Sequence, residues 1–309
     1  MSNHLQKKDP AAKPLRTHIM SVDVEDYFMV EAFAGSVTSG SWKSRESRVV
    51  ANTLRVLDLF DKYNVKGTFF FVGWVAEKFP ALVRDVHKRG HELACHSYWH
   101  RTVYSLTPEV FREDTRAAAR AIEDAAGVEV HGYRAPSWSI TKNCLWALDI
   151  LAEEGFSYDS SIYPIHHDLY GVPGAKRFPY EIQCRNGGTL REFPPATVQL
   201  FGQNFPGAGG GYLRILPLGY TNWVFREYEK HYGEQAVVYV HPWELDPGQP
   251  RIKDTLKSRV RHYTNLEKME ERLEYLCKRY SFQPFREAMG NTIEQTTWAA
   301  LASVGTAYE

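Results

Sequence analysis

Scarcity narrows the possibilities first. The 309 residues include only four cysteines, Cys95, Cys144, Cys184 and Cys277, spread far apart with no CxxC pair. That excludes a zinc knuckle and a disulfide framework, and it predicts four reduced, mostly buried thiols. There is no excess of charge, since Lys+Arg and Asp+Glu number 37 each. No uniform field is then available to attract nucleic acid or an anionic membrane, and a neutral or polymeric substrate fits better. No apolar run approaches the roughly 18–20 residues that cross a bilayer. The opening stretch, MSNHLQKKDPAAKPLRTH, carries charges with no apolar segment behind them. It does not read as a secretory signal, so the expectation is a flexible leader over 1–16 and a cytoplasmic protein, at the inner membrane face if near a membrane at all. There is no internal repeat.

Apolar material, by contrast, is plentiful: 43% of residues are hydrophobic and 14% aromatic, enough for a substantial core. It is arranged in alternating units. "HIMSVDVEDYF" (18–28) is a short β-prone run that ends in carboxylates, as a buried strand does when its C-terminal end opens into a site. Residues 46–63 carry Val49, Val50, Leu54, Leu57, Leu59, Phe60 and Tyr63 at helical spacing, and "VKGTFFFVG" (65–73) follows as a strand. A helix over 81–90 closed by Gly90, a strand over 91–96, and an alanine-rich helix over 108–126 with Thr107 as N-cap and Pro108 behind it continue the pattern. Strands over 128–136 and 156–161 flank a helix over 141–154; the stretch 161–213 breaks into Pro, Gly, His and aromatics, most loop-like over 205–214, with one strand ending near 194; a helix near 217–232, the strand "AVVYVHPW" (236–243) and an amphipathic helix over 265–280 complete the series. Repeated β-α units predict a parallel sheet with helices outside it, and about seven strands predict a distorted or incomplete (β/α)7 barrel over 17–245 with a C-terminal helical extension and tail over 246–309.

Such barrels keep their chemistry at the C-terminal ends of the strands. Polar residues gather there: Asp23, Glu25 and Asp26 after the first strand, His96 and His100 after the third, Arg134, Asp159 and His241 after later ones. A carboxylate with two imidazoles suits a divalent ion such as zinc, with positions left open for water and substrate. Two histidines four apart can face one point if the segment curls into a helical turn. Asp23 is then the candidate base.

Each of these has a plainer reading. His96 and His100 could be placed by packing alone, Arg134 could be a structural ion-pair partner, and His241 a satisfied core histidine. His166, His167 and Asp168 read as loop residues near a substrate groove, and His87, His131 and His262 as surface or structural. His91 and Glu92 do not begin a zincin motif, because Cys95 stands where its second histidine belongs. Trp42, Trp74, Trp99 and Trp223 could stack on sugars, although such aromatics are more often core.

The order of "SVDVED", "HSYWH", "YRAPSW", "FSYDSS" and "VYVH" resembles the motifs of the polysaccharide deacetylases, the NodB-type carbohydrate esterases, over residues 17–245. The longer stretches "RAPSWSI", "DSSIYP", "HHDLYG" and "HPWELDP" are most similar to the exopolysaccharide and exosortase-associated branch, related to allantoinase-like proteins and peptidoglycan deacetylases. The resemblance implies Asp23 as general base, oriented by Arg134; His96 and His100 as metal ligands; His241 as general acid; Pro136 and Trp138 as walls of a sugar pocket; the Ser137 N–H as oxyanion donor; and Asp159 at the substrate subsite, positioning a neighbouring cation. The family pattern has two adjacent aspartates, base then ligand, but Val24 follows Asp23 here. The Asp-x-Asp spacing of the related branch points to Glu25 as the carboxylate ligand, with Asp26 as the alternative. The implied activity is metal-dependent removal of acetyl groups from N-acetylhexosamine units of a glycan. An allantoinase-like C–N hydrolase and a glycan-binding pseudoenzyme are the rival expectations.

Overall fold

The computed structural model describes residues 16–207, 209–290 and 294–304; most of the expected leader lies outside them. Strand β1 (Thr17–Val24) is followed by helix α1 (Val49–Lys62), β2 (Thr68–Phe71), α2 (Gly73–Lys78), α3 (Pro80–Lys88), β3 (Glu92–Cys95), α4 (Pro108–Ala126), β4 (Gly132–Tyr133), α5 (Trp146–Glu153) and β5 (Tyr158–Asp159). Then come β6 (Tyr180–Gln183), β7 (Thr189–Glu192), β8 (Thr197–Leu200), β9 (Gln203–Pro206), α6 (Gly210–Ile215), α7 (Leu218–Glu227) and β10 (Val237–Val240). The chain ends in α8 (Leu256–Tyr263), α9 (Met269–Arg279), β11 (Ser281–Gln283), α10 (Phe285–Ala288), β12 (Glu294–Thr297) and α11 (Trp298–Ser303).

The main sheet runs β10-β1-β2-β3-β4-β5-β7-β6-β12, and β11 pairs with the start of β1. All its pairings are parallel except β6 with β7. Where a seventh strand would close the ring onto β10 no ladder forms among the described residues, but the Ala196 N–H donates to the Val237 carbonyl at 3.0 Å across the gap. The barrel is therefore distorted and incompletely closed, as the strand count predicted.

Strand alternation decides what reaches the site. On one face Ile19, Phe70, Ala94, Tyr158, Phe193 and Val237 pack with Phe285 as the barrel interior. On the other, Met20, Val22, Val24, Phe69 and Phe71 meet the helices in the larger core. Burying each such side chain contributes roughly 1.5–3 kcal/mol. Helix α4 starts as expected: Thr107 accepts the Val110 N–H, Pro108 occupies the first turn, and Gly127 ends the helix at φ +73°. All four cysteines are free and buried.

Four expectations needed correction. Strand four is only Gly132–Tyr133, since its neighbours are pulled into a loop. The stretch 161–213 holds more than the one strand expected near 194: β6 joins β7 in an antiparallel pair around Gly187, and β8 and β9 form a second around Gly202. The extra strands were hidden by glycines at the turns and prolines beside the strands. Helices α2 and α8 were missed, being six and eight residues long with little periodicity to read. The weakly patterned C-terminal stretch includes β12, parallel to β6. Among the described residues no helix is long and apolar enough to cross a membrane.

Candidate active site

Alternation along β1 turns Ile19, Ser21 and Asp23 toward the barrel interior, and Glu25, one residue beyond Val24, follows them. Asp23 and Glu25 line the same cavity of 320 Å³ at the C-terminal ends of the strands. Asp26 falls on the other side. Its carboxylate accepts the Ser47 hydroxyl at 2.6 Å and the Tyr27 and Arg48 N–H groups, holding the entry to α1. Burial pushes its pKa up.

His96 and His100 come together by a route other than a helical turn. Ser97 and His100 take left-handed backbone conformations, φ +62° and +51°, and the two rings meet edge to face at 5.0 Å. Such positions cost about 1 kcal/mol or more for residues other than glycine, so something must hold them. Asp114 of α4 does: its buried carboxylate accepts the Ser97 hydroxyl at 2.6 Å and the Tyr98 N–H at 2.7 Å, with Arg101 beside it at 3.0 Å. Sequence reasoning overlooked Asp114. Its signal was a carboxylate on the same helical stripe as Phe111, Ala118 and Ile122, where an unpaired charge would not be tolerated.

Glu25, His96 and His100 are buried and offer ligand atoms within 4.8 Å of one another. Their donor state fits a cation. His96 Nδ1 lies 2.7 Å from the Arg134 carbonyl, to which it donates, leaving the Nε2 lone pair free. Glu25 Oε2 is 2.6 Å from His100 Nε2, so the two share a proton or a cation between them, and Glu25 raises the His100 pKa against the effect of burial. Burial alone would raise the Glu25 pKa, but His100, His241 and His96 outweigh it and hold the carboxyl far below its usual range. Burial lowers His96 to about 4.

Asp23 meets two basic groups. Arg134 Nη1 donates to its Oδ1 at 2.7 Å, and His241 Nε2 is 3.8 Å from its Oδ2. Arg134 is fully buried, donates also to Ser21 and Ser160, and lies between the rings of Phe70 and Trp138 at 4.2 and 4.6 Å. It therefore sits beneath the cavity and does not line it.

His241 follows β10. Its Nδ1 and backbone N–H each lie 3.0 Å from Glu244 Oε2, while Glu244 Oε1 accepts from Arg214 Nε at 2.6 Å. Arg214 in turn donates to the carbonyls of Arg261, His262 and Thr264. Burial would lower the His241 pKa, but Glu244, Glu25 and Asp23 together raise it to about 9. Glu244, whose burial alone would raise it, is held at about 2 by His241 and Arg214. Neither Glu244 nor Arg214 was singled out from the sequence; the only hint was the acid three residues after His241. Gly209 and Gly210 pass over this wall at φ +132° and +48°, where a Cβ would come within 2.3 and 2.6 Å of the Tyr239 ring.

Several other candidates move. Ser137 and Trp138 line the cavity, both at φ +53°, with Pro136 buried behind them. His262, left among surface or structural residues, is buried, lines the cavity and stacks on Trp243 at 4.1 Å; its pKa falls to about 3 through burial and the nearby Arg214. Trp243, also overlooked, donates to Glu25 Oε1 at 2.9 Å. His167 reaches the cavity and stacks on Tyr170 at 3.7 Å, while Asp168 pairs with Lys257 at the rim. Trp42, Trp74 and Trp99 form a ring cluster elsewhere and do not line the cavity. Asp159 is not at the cavity at all. Alternation turns Tyr158 and Ser160 inward and Asp159 to the outer face, where it is fully buried.

Residues 45–155 match the family model described as "Polysaccharide deacetylase", and residues 160–290 match a second described as "Domain of unknown function (DUF3473)". A bifunctional xylanase/deacetylase of Pseudobutyrivibrio xylanivorans is 37% identical over 32% of this chain and 17% of its own length. A peptidoglycan deacetylase of Helicobacter pylori is 30% identical over 37% of this chain and 38% of its own. These alignments thus span well under half of either relative. A putative polysaccharide deacetylase from Mycobacterium smegmatis has the same fold, with TM-score 0.58 and 20% identity over 93% of this chain and 98% of that one. The first matched span contributes His96, His100, Ser137 and Trp138 to the cavity, and the second contributes His167, Tyr212, His241 and Trp243.

Proposed function

Because this chain carries a polysaccharide deacetylase domain, we propose that it is a metal-dependent N-deacetylase that cleaves the acetamide of N-acetylhexosamine units in a bacterial glycan. The observation that carries this reading is the junction in one cavity of a carboxylate pinned by a buried arginine, a histidine raised to about 9, and three buried residues with ligand atoms aimed together. Two imidazoles and a carboxylate favour zinc, held by Glu25, His96 and His100. Bound there, the ion would polarise the acetyl carbonyl and acidify water.

The chain's own residues divide the remaining work. Asp23, oriented by Arg134, accepts a proton from the attacking water. The Ser137 N–H donates to the carbonyl oxygen as negative charge develops on it. His241 is protonated at neutral pH and gives its proton to the departing amine as the C–N bond breaks. Glu244 keeps that proton available and fixes the ring through Nδ1. Trp138, with Pro136 behind it, forms a wall against the sugar. Acetate and a free amino sugar leave.

The test is acetate release from N-acetylated chitooligosaccharides and peptidoglycan fragments, run beside allantoin, on protein stripped of metal and reloaded with zinc. Glycan-dependent acetate that follows zinc loading is expected. Allantoin turnover alone, or glycan binding without acetate under any divalent ion, would replace this reading.

A further inference from the structure

Asp159 and Glu192 are fully buried on the outer face of the sheet, and they are direct cross-strand partners in the β5–β7 ladder. Paired residues of a parallel ladder project from the same face. Asp159 Oδ2 and Glu192 Oε2 are buried with no hydrogen-bond partner among the described residues, and two such neighbouring carboxyl groups satisfy each other only by sharing one proton. Their outer oxygens are fully committed. Asp159 Oδ1 accepts the Ser161 hydroxyl at 2.5 Å, and Glu192 Oε1 accepts the Ile162 N–H at 2.9 Å.

Ser161 carries this outward to the cavity. Its Oγ accepts the Ala135 N–H at 2.8 Å, and Ala135 opens the turn in which Ser137 and Trp138 both stand at φ +53°. Two successive left-handed residues, one of them tryptophan, persist only where the flanking backbone is held. On one side the holder is Arg134, which sits under the Trp138 ring. On the other it is Ser161.

We propose that Asp159 and Glu192 form a single acid–carboxylate pair that, through Ser161, positions the turn carrying the Ser137 N–H. The pair itself follows from the contacts alone; its consequence for catalysis rests on the deacetylase reading above. Burial favours the same state. It raises Asp159 to about 6 and Glu192 well above its usual range, with the Asp159 charge adding to the effect on Glu192, so the two together keep one proton.

The experiment compares Glu192→Gln, Asp159→Asn/Glu192→Gln, Ser161→Ala and Ser161→Thr on zinc-loaded protein, with kcat, KM, metal content and thermal midpoint read for each. The side-chain amide introduced by Glu192→Gln supplies the shared hydrogen permanently, so kcat stays within about threefold. The double variant sets two amide groups against each other, and its loss exceeds that of the single change. Ser161→Ala lowers kcat about 10–100-fold, the cost of a misplaced group, with KM and metal content unchanged; Ser161→Thr, which keeps the hydroxyl, restores it. An unchanged kcat in Ser161→Ala, or a parallel change in KM and metal content, overturns the positioning role. The pair is read without any substrate: the infrared difference spectrum of wild type against Glu192→Gln should contain the carbonyl band of a protonated acid, and its absence overturns the pair. If wild type releases no acetate from any glycan, the deacetylase reading fails while the infrared result still decides the pair.

Discussion

One wall of the cavity is assembled from the ends of neighbouring strands, the other from loops brought in over long stretches of chain. Asp23, Glu25, His96 and Arg134 each stand within two residues of the end of β1, β3 or β4, and the ladder spacing sets their separation. His241 also follows a strand, but its charge depends on Glu244, and Glu244 depends on Arg214 thirty residues earlier. The lesson is that the proposed ligand geometry and the proposed proton supply have separate supports. The first can be damaged by local changes at strand ends, the second by changes in the region of the DUF3473 match.

The strand-end wall should give the largest effect. His96→Ala/His100→Ala is expected to lose its metal and all acetate release, with the thermal midpoint of the metal-free protein nearly unchanged; retention of one zinc per chain in elemental analysis would remove the assignment. Asp23→Asn should keep the metal and lose kcat by on the order of 10²–10⁴-fold, the usual span for a general base. Across the cavity, His241→Ala should cost about 10²-fold in kcat at neutral pH, at the low end of the same span, because water can replace an acid more readily than a base held by Arg134.

Glu244→Gln tests the proton supply itself. In the proposed role of general acid His241 works protonated, so activity is expected to fall as pH rises through its pKa of about 9. Removing the Glu244 charge lowers that pKa, and the alkaline limb of the kcat profile should move to lower pH. A limb that stays in place would mean that Glu25 and Asp23 alone hold the proton.

The smallest effect separates the two ends of one strand. His96 follows β3 at the cavity, while His91 precedes it, fully buried, with its Nδ1 accepting the Gly67 N–H at 3.3 Å. Burial, with Lys66 nearby, lowers the His91 pKa from 6.5 to about 4. The unfolded chain therefore takes up this proton first. The stability tied to His91 is complete above pH 6.5 and is lost as pH falls through about 4; it amounts to about 3 kcal/mol at most. His91→Gln should flatten this part of the acid limb in denaturant titrations without altering zinc content.

The barrel and the strand-end candidates were legible because they depend on local patterns. Buried β runs ending in acids, and helices beginning at Thr107–Pro108, are written in consecutive residues. The choice between Glu25 and Asp26 follows from alternation along one extended segment: residues two apart share a face, and their neighbour turns away. The same rule explains why Asp159, read from its place at a strand end, was sent to the wrong face. β5 is only Tyr158–Asp159, and with Tyr158 and Ser160 turned inward the residue between them faces out.

Composition and periodicity were sufficient for an α/β chain with a parallel sheet, a polar strand-end site and no disulfides, since each rests on residues close in sequence. The pairing of Arg214 with Glu244, the burial of His262 against Trp243, the hold of Asp114 on the histidine turn and the union of Asp159 with Glu192 came only with the folded chain. Each needs a partner 16 to 30 residues away or on another strand. A side chain's pKa and its face toward a cavity are properties of those neighbours, and distance along the chain does not encode them.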